Sequence, residues 1–327
     1  MLNLFRTNQF LANILLVFYI ALLRGGFFIN INPRLPAAQG AWSYDLYAIL
    51  ANYLWLLPHL AAALVFIHAV GLNYIATKYR ISEEITLWAG VFYILLTSSI
   101  LELAMPTPTL LAVGFLIIIL YCFFETYRKS ASAAAIFNIG LWIAVGSFFH
   151  FAFGIFIFLA IISLNVLRAY NFREILMLAC GIFTAYFIVG AYYFYFDAFD
   201  IFWQEQFTKN IAFFNIISPN NWLVFAQRVF FGFLILLSLF SQGIYSFKKS
   251  IQIQKFQTVL FWTMVFAGIS TLFQTNVGME QLVFVAPSLA FFMMYTFLKF
   301  ERGTAEAFHI FWIFLIIALQ FHENLGF

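Results

Sequence analysis

The stretch NIGLWIAVGSFFHFAFGIFIFLAIISLNVLR, residues 138–168, limits what this chain can fold into more than any other. The apolar run it belongs to, 134–167, has Arg128 and Lys129 before it and Arg168 and Arg173 after it. Basic residues between apolar spans favour the cytoplasmic side of a membrane. Both ends of the run then share that side, and the number of crossings is even. A single helix would be about 50 Å long against a hydrocarbon core of roughly 30 Å. Two arms of about 16 residues, turning near FFHFAFG, would each reach about 24 Å. The sequence predicts a short helical hairpin over 134–167 with His150 at its turn.

Composition agrees. Of 327 residues, 65% are hydrophobic and 9% charged, where a soluble domain carries roughly 25% charged residues. There is too little polar surface to clothe a water-facing globule. The net charge of +3 comes from small basic groups between apolar runs, so nucleic acid is not an expected partner. Cys122 and Cys180 lie inside apolar runs with no metal-ligand spacing. No cofactor or metal motif is present.

Apolar runs of membrane-crossing length fall near 9–29, 47–76, 85–104, 109–125, 174–196, 223–246, 257–275, 281–299 and 307–325. With the hairpin counted twice, the expected fold is an all-α, polytopic transmembrane bundle of about eleven helices. The N-terminal run lacks a small-x-small cleavage site and reads as a retained first helix. The whole chain, 1–327, reads as a single integral membrane domain. Its N-terminus is expected in the cytoplasm of a bacterial inner membrane, an arrangement that puts twelve of the sixteen Lys and Arg residues inside.

Two outward segments are long enough to have structure. The first is the loop 30–47; the second, 197–222, contains a predicted amphipathic interfacial helix over 201–217. In that helix Trp203, Phe207, Ile211, Phe214 and Ile217 recur at helical steps, and Glu205 and Lys209 form an i,i+4 pair. Asp200 is placed to cap it, although Asp197 and Asp200 also have the spacing of a metal pair. His59 and His68 face opposite sides of one helix and read as interhelical hydrogen-bonders.

The polar groups expected at the outer face are Asp45, Glu102, Asp197, Asp200, Glu205, Glu280, Glu323, His150, His322, Arg24, Arg34, Lys209 and Arg228. From these, Asp45, Glu102 and His150 are candidate catalytic groups, because a carboxylate or imidazole can take a proton from an acceptor. Arg24, Arg34 and Arg228 are candidates for a lipid-linked phosphate, which an arginine grips through two parallel hydrogen bonds. Most of these have a plainer reading. Asp45 can cap the second helix, Glu102 can be an interfacial group at a helix end, His150 can bond a carbonyl at the turn, and Arg24 and Arg228 can reach for headgroups.

The segment 136–194 carries a pattern of Phe137, Asn138 and Trp142 before the hairpin, then Arg168, Asn171, Phe172, Arg173 and Glu174, then Gly181. It resembles an uncharacterised inner-membrane family of Bacteroidota over about residues 65–200, a resemblance that implies location and no activity. The layout is also similar to that of GT-C glycosyltransferases, which take sugars from polyprenyl phosphate. That likeness implies a catalytic acid at Asp45 and a lipid carrier as partner. Three functions stay open: a transferase acting at the periplasmic face on a lipid-linked sugar, a non-catalytic subunit of a cell-envelope complex with membrane-protein partners, and a transporter or flippase.

Overall fold

The computed structural model describes residues 5, 10–29, 33–82, 84, 86–129, 132–168, 171–211, 227–237, 250–273 and 278–321. It is predominantly helical, with no strand among these residues. Among the described residues, five helical stretches are long and apolar enough to cross a membrane: Leu54–Lys78, Pro108–Thr126, Phe172–Tyr195, Ile251–Phe273 and Arg302–Gln320. They mark the chain as a multi-pass membrane protein.

In chain order, α1 (Phe10–Leu23) stops at Arg24 and gives way to the short α2 (Gly25–Ile29). Then come α3 (Ala41–Leu50), α4 (Leu57–Lys78), α5 (Trp88–Ser98) and α6 (Pro108–Thr126). The hairpin follows as α7 (Ala133–Phe149) and α8 (Phe156–Leu167), then α9 (Phe172–Tyr195) and the short α10 (Phe199–Trp203). The remaining helices are α11 (Gln227–Leu237), α12 (Ile251–Ser270), α13 (Ala286–Lys299) and α14 (Arg302–Gln320).

The helices begin where the local chemistry allows. Thr107 caps α6 by accepting from Leu110 N at 3.2 Å, with Pro108 in the first turn where its missing N–H costs nothing. Asn171 caps α9 by accepting from Arg173 N at 3.0 Å. The hairpin feet meet, because Arg168 donates to Ser132 and pairs with Glu174 at 3.3 Å. Its turn is His150 and the 3-10 segment Phe151–Ile155.

Contacts between α7 and α9 show how the chain runs. Gly140 lies against Leu178, Gly181 lies against Phe137 and Leu141, and Ser147 bonds Tyr186 higher up. The two helices are therefore parallel and in direct contact, and α8 returns against α12. A Cβ on Gly140 would sit 2.1 Å from the Leu178 oxygen, and one on Gly181 would sit 2.2 Å from the Phe137 oxygen. Only glycine permits this approach.

Several expectations are corrected. The described residues do not confirm about eleven crossings, since several apolar runs divide into shorter helices joined by 3-10 turns. The run 85–104 becomes an eleven-residue helix, buried at every position, followed by the turn Leu101–Ala104. The run 47–76 starts late, because the chain first makes the separate helix α3 and a 3-10 turn at Leu54–Leu56. Asp45 thus lies inside α3 and caps nothing; Gly40 holds the N-cap position, pressed so close to the Phe148 carbonyl that a Cβ would sit 2.3 Å away.

Asp200 lies in the first turn of α10 behind Ala198 at the cap, so it is not the capping residue. The helix expected over 201–217 is a turn of α-helix passing into a π-helical turn, Gln204–Thr208. The Glu205–Lys209 pair forms. Phe214, Ile217, His322 and Glu323 lie outside the described residues. His59 bonds the Trp55 carbonyl of its own segment at 3.2 Å and meets a second helix only through its ring, 5.1 Å from that of Phe28 in α2, among the described residues, whereas His68 reaches Tyr93 of α5 at 2.9 Å.

Replacing Gly181 by valine should force α7 and α9 apart and cost about 1–3 kcal/mol. Thermal unfolding in detergent should show a lower midpoint than for the same change at Gly190, where a Cβ meets nothing within 4 Å.

Candidate functional site

The breaks between α-helices, several of them 3-10 turns, gather at one end of the bundle. Residue 24 interrupts α1 and α2, residues 99–107 join α5 to α6, and residues 150–155 form the hairpin turn. The turn Met279–Phe284 leads into α13, and residues 33–40 lead into α3. Each leaves backbone groups without a helical partner, and neighbouring segments supply the partners.

Gln39 is stitched down on both sides. Its carbonyl accepts from Phe151 N at 2.8 Å, and its N–H donates to Ser43 Oγ at 3.0 Å. Its side-chain Oε1 lies 2.5 Å from His150 Nδ1, and its Nε2 donates to Glu280 Oε1 at 3.2 Å. Glu280 N in turn donates to Glu102 Oε2 at 2.6 Å. A continuous polar line thus runs from His150 through Gln39 and Glu280 to Glu102. Tyr47 closes one side by donating to the Pro106 carbonyl at 2.8 Å.

Two carboxyl groups lie close enough here for each to feel the other's charge. Glu280 is half-buried, and desolvation, followed by the like charge of Glu102, pushes its carboxyl up to about 7. The Gln39 hydrogen bond works the other way by favouring the charged form. Glu102 is exposed as a residue, yet its carboxylate end turns inward onto the Glu280 backbone. Desolvation raises it too, against the pull of the backbone N–H groups of Glu280 and Met279 and the charge of Arg228. A carboxyl that changes charge near neutrality beside a second carboxyl can exchange protons with a substrate hydroxyl.

The expected site residues separate. Glu102 and His150 are joined through Gln39 and Glu280. Arg228 sits close enough to act on Glu102 through its charge. Asp45 is elsewhere, on the side of α3 that meets α9, where it accepts a hydrogen bond from Tyr193. Arg34 is exposed in the loop before α3. Arg24 is 1% exposed and donates to the carbonyls of Leu103 and, at 3.5 Å, Ala61, with its guanidinium over the Phe27 ring at 5.3 Å. No headgroup can reach it. An arginine inside a bilayer costs about 2.5–3.5 kcal/mol on insertion scales, which these carbonyls and the ring offset. It holds the strand of chain next to Glu102.

Sequence reasoning placed Glu280 at the outer face without a role and passed over Gln39, Tyr47 and Gln206. Gln206 accepts from Ala41 N at 3.0 Å and donates to the Ser147 carbonyl at 2.9 Å, clamping α3 to the end of α7. Uncharged amides are costly among apolar neighbours unless bonded, and that cost was the available signal. No family model matches the chain, and no curated protein or solved structure does either.

The Glu280 shift has a consequence for stability. The folded chain holds this proton more tightly than the unfolded chain, whose carboxyl titrates near 4.5. Its contribution is therefore full at acid pH and is lost as pH rises from about 4.5 through about 7. Unfolding midpoints measured against pH should fall across that window, and Glu280→Gln should flatten the fall.

Proposed function

We propose that this protein is a multi-pass transferase of the bacterial inner membrane that moves a sugar from polyprenyl phosphate at the periplasmic face. The neighbouring pair Glu102 and Glu280 carries the reading, because one member is poised to change protonation near neutral pH. The sidedness draws on charge distribution. Lys78, Arg168 and Lys255 bond Tyr121, Ser132 and the Leu167 carbonyl at the end of the bundle opposite the carboxylates. Positive residues favour the cytoplasm, so the carboxylate end faces outward and the N-terminus inward.

In this reading Glu280 takes the proton of an acceptor hydroxyl as its oxygen bonds to the sugar anomeric carbon. The bond from that carbon to the phosphate oxygen breaks, and the polyprenyl phosphate leaves with the electron pair. Arg228 and Arg34 neutralise the departing phosphate. Glu102 keeps Glu280 protonatable near neutrality. Asp45, bonded to Tyr193 on the far side of α3, takes no part, and His150 acts from behind the site.

A second reading, a non-catalytic subunit of a cell-envelope complex, draws on α9. Most of this helix is left unburied, and it exposes Phe183, Phe187 and Phe194. Membranes containing the overproduced chain, given radiolabelled polyprenyl-phosphate sugars, should transfer label, and Glu280→Gln should lower the rate at least about 100-fold. Equal transfer by the two, or none above control membranes, would remove the transferase reading. Recovery of the chain bound to other membrane proteins, with no transfer, would favour the second.

A further inference from the structure

We infer that Gln39 and His150 form a positioning pair for the Glu280 carboxylate, with His150 holding the Gln39 amide in the one orientation that aims its NH2 group at Glu280. This deepens the reading of Glu280 as the proton acceptor, and it names residues that set how that carboxylate is presented.

The argument follows from what each group can donate. An ionised carboxylate only accepts hydrogen bonds, so the end of the Gln39 amide facing Glu280 is its NH2, at 3.2 Å. The opposite end is then the carbonyl oxygen, which also only accepts. It lies 2.5 Å from His150 Nδ1, so that nitrogen must carry the hydrogen. The network thus assigns the amide orientation and the imidazole tautomer together. Without His150 the amide could turn over and point its oxygen at the carboxylate.

The frame around this pair is built to hold it. His150 is 1% exposed, and its ring lies against Phe284, with centroids 5.3 Å apart. Phe284 belongs to the same turn as Glu280, so imidazole and carboxylate are carried on packed segments. The Gln39 backbone is tied to Phe151, the residue after His150, and to Ser43. Little side-chain freedom is left to lose on forming the relay.

Each group facing Glu280 plays a different part. Glu102, from the turn between α5 and α6, opposes its charge, and Arg228 on α11 acts on Glu102. The Tyr47 hydroxyl on α3 gives its hydrogen to Pro106. Gln39 is the side chain that donates to Glu280.

The full chain in lipid nanodiscs can be titrated by infrared spectroscopy, with the Glu280 carboxyl band assigned by its loss in Glu280→Gln. Gln39→Leu and His150→Ala should each raise its midpoint by about one pH unit, the worth of one hydrogen bond to a charged group. His150→Asn, whose amide can donate to Gln39, should return most of that shift. In the unaltered chain, nitrogen NMR of labelled histidine above the midpoint should show His150 carrying hydrogen on Nδ1. An unmoved midpoint in folded His150→Ala, or hydrogen on Nε2 in the native chain, would overturn the pair. The NMR measurement decides even if His150→Ala fails to fold. None of these readings needs turnover: an inactive chain that titrates as described sinks the transferase reading alone, and an active chain with an unmoved midpoint sinks the pair alone.

Discussion

Inside a bilayer, backbone polar groups have no water to turn to, so every break in a helix must find its partners within the protein. The structure is organised around that demand. Arg24 answers the Leu103 carbonyl, Gln206 the Ser147 carbonyl, Tyr47 the Pro106 carbonyl, and Gln227 the Ser99 carbonyl at 3.3 Å. Glu102 answers the Glu280 N–H. The breaks lie near one end of the bundle, and each is closed by a side chain from another segment. The polar cluster that results is a by-product of structural need and also the place where chemistry is possible.

The short helices have the same cause. α5 is buried at every position, so it makes no use of lipid contact and need not reach across the hydrocarbon core. Its eleven residues give way to a turn whose carbonyls are bonded by Arg24 and Gln227. The hairpin turn of α7 and α8 likewise leans on Gln39. Half-length helices are tolerated because neighbours cover their ends, and where those ends meet the carboxyl groups of Glu102 and Glu280 are partly desolvated. That desolvation lifts Glu280 toward neutrality.

Much of this was readable beforehand. Arg128 and Lys129 on one side of 134–167 and Arg168 and Arg173 on the other require an even number of crossings. The low charge content places the chain in a membrane. Glu102 and His150 stood out as ionisable groups amid apolar neighbours. Asp45 was misjudged because a carboxylate before an apolar run looks like a helix cap. Here the run begins with a helix of its own, started by Gly40 under the pressure of the Phe148 carbonyl.

Hydropathy and the placement of basic residues set the solvent, the helical class and which end of each run shares a side. These are local sums over the chain, and any reader of the residues can form them. The partners of Gln39, Gln206 and Arg24 could not be read that way, because each hydrogen bond joins segments up to 241 residues apart. An amide in an apolar run announces that it needs a partner but not which one. Only packing decided that Glu280, and not Asp45, would stand opposite Glu102.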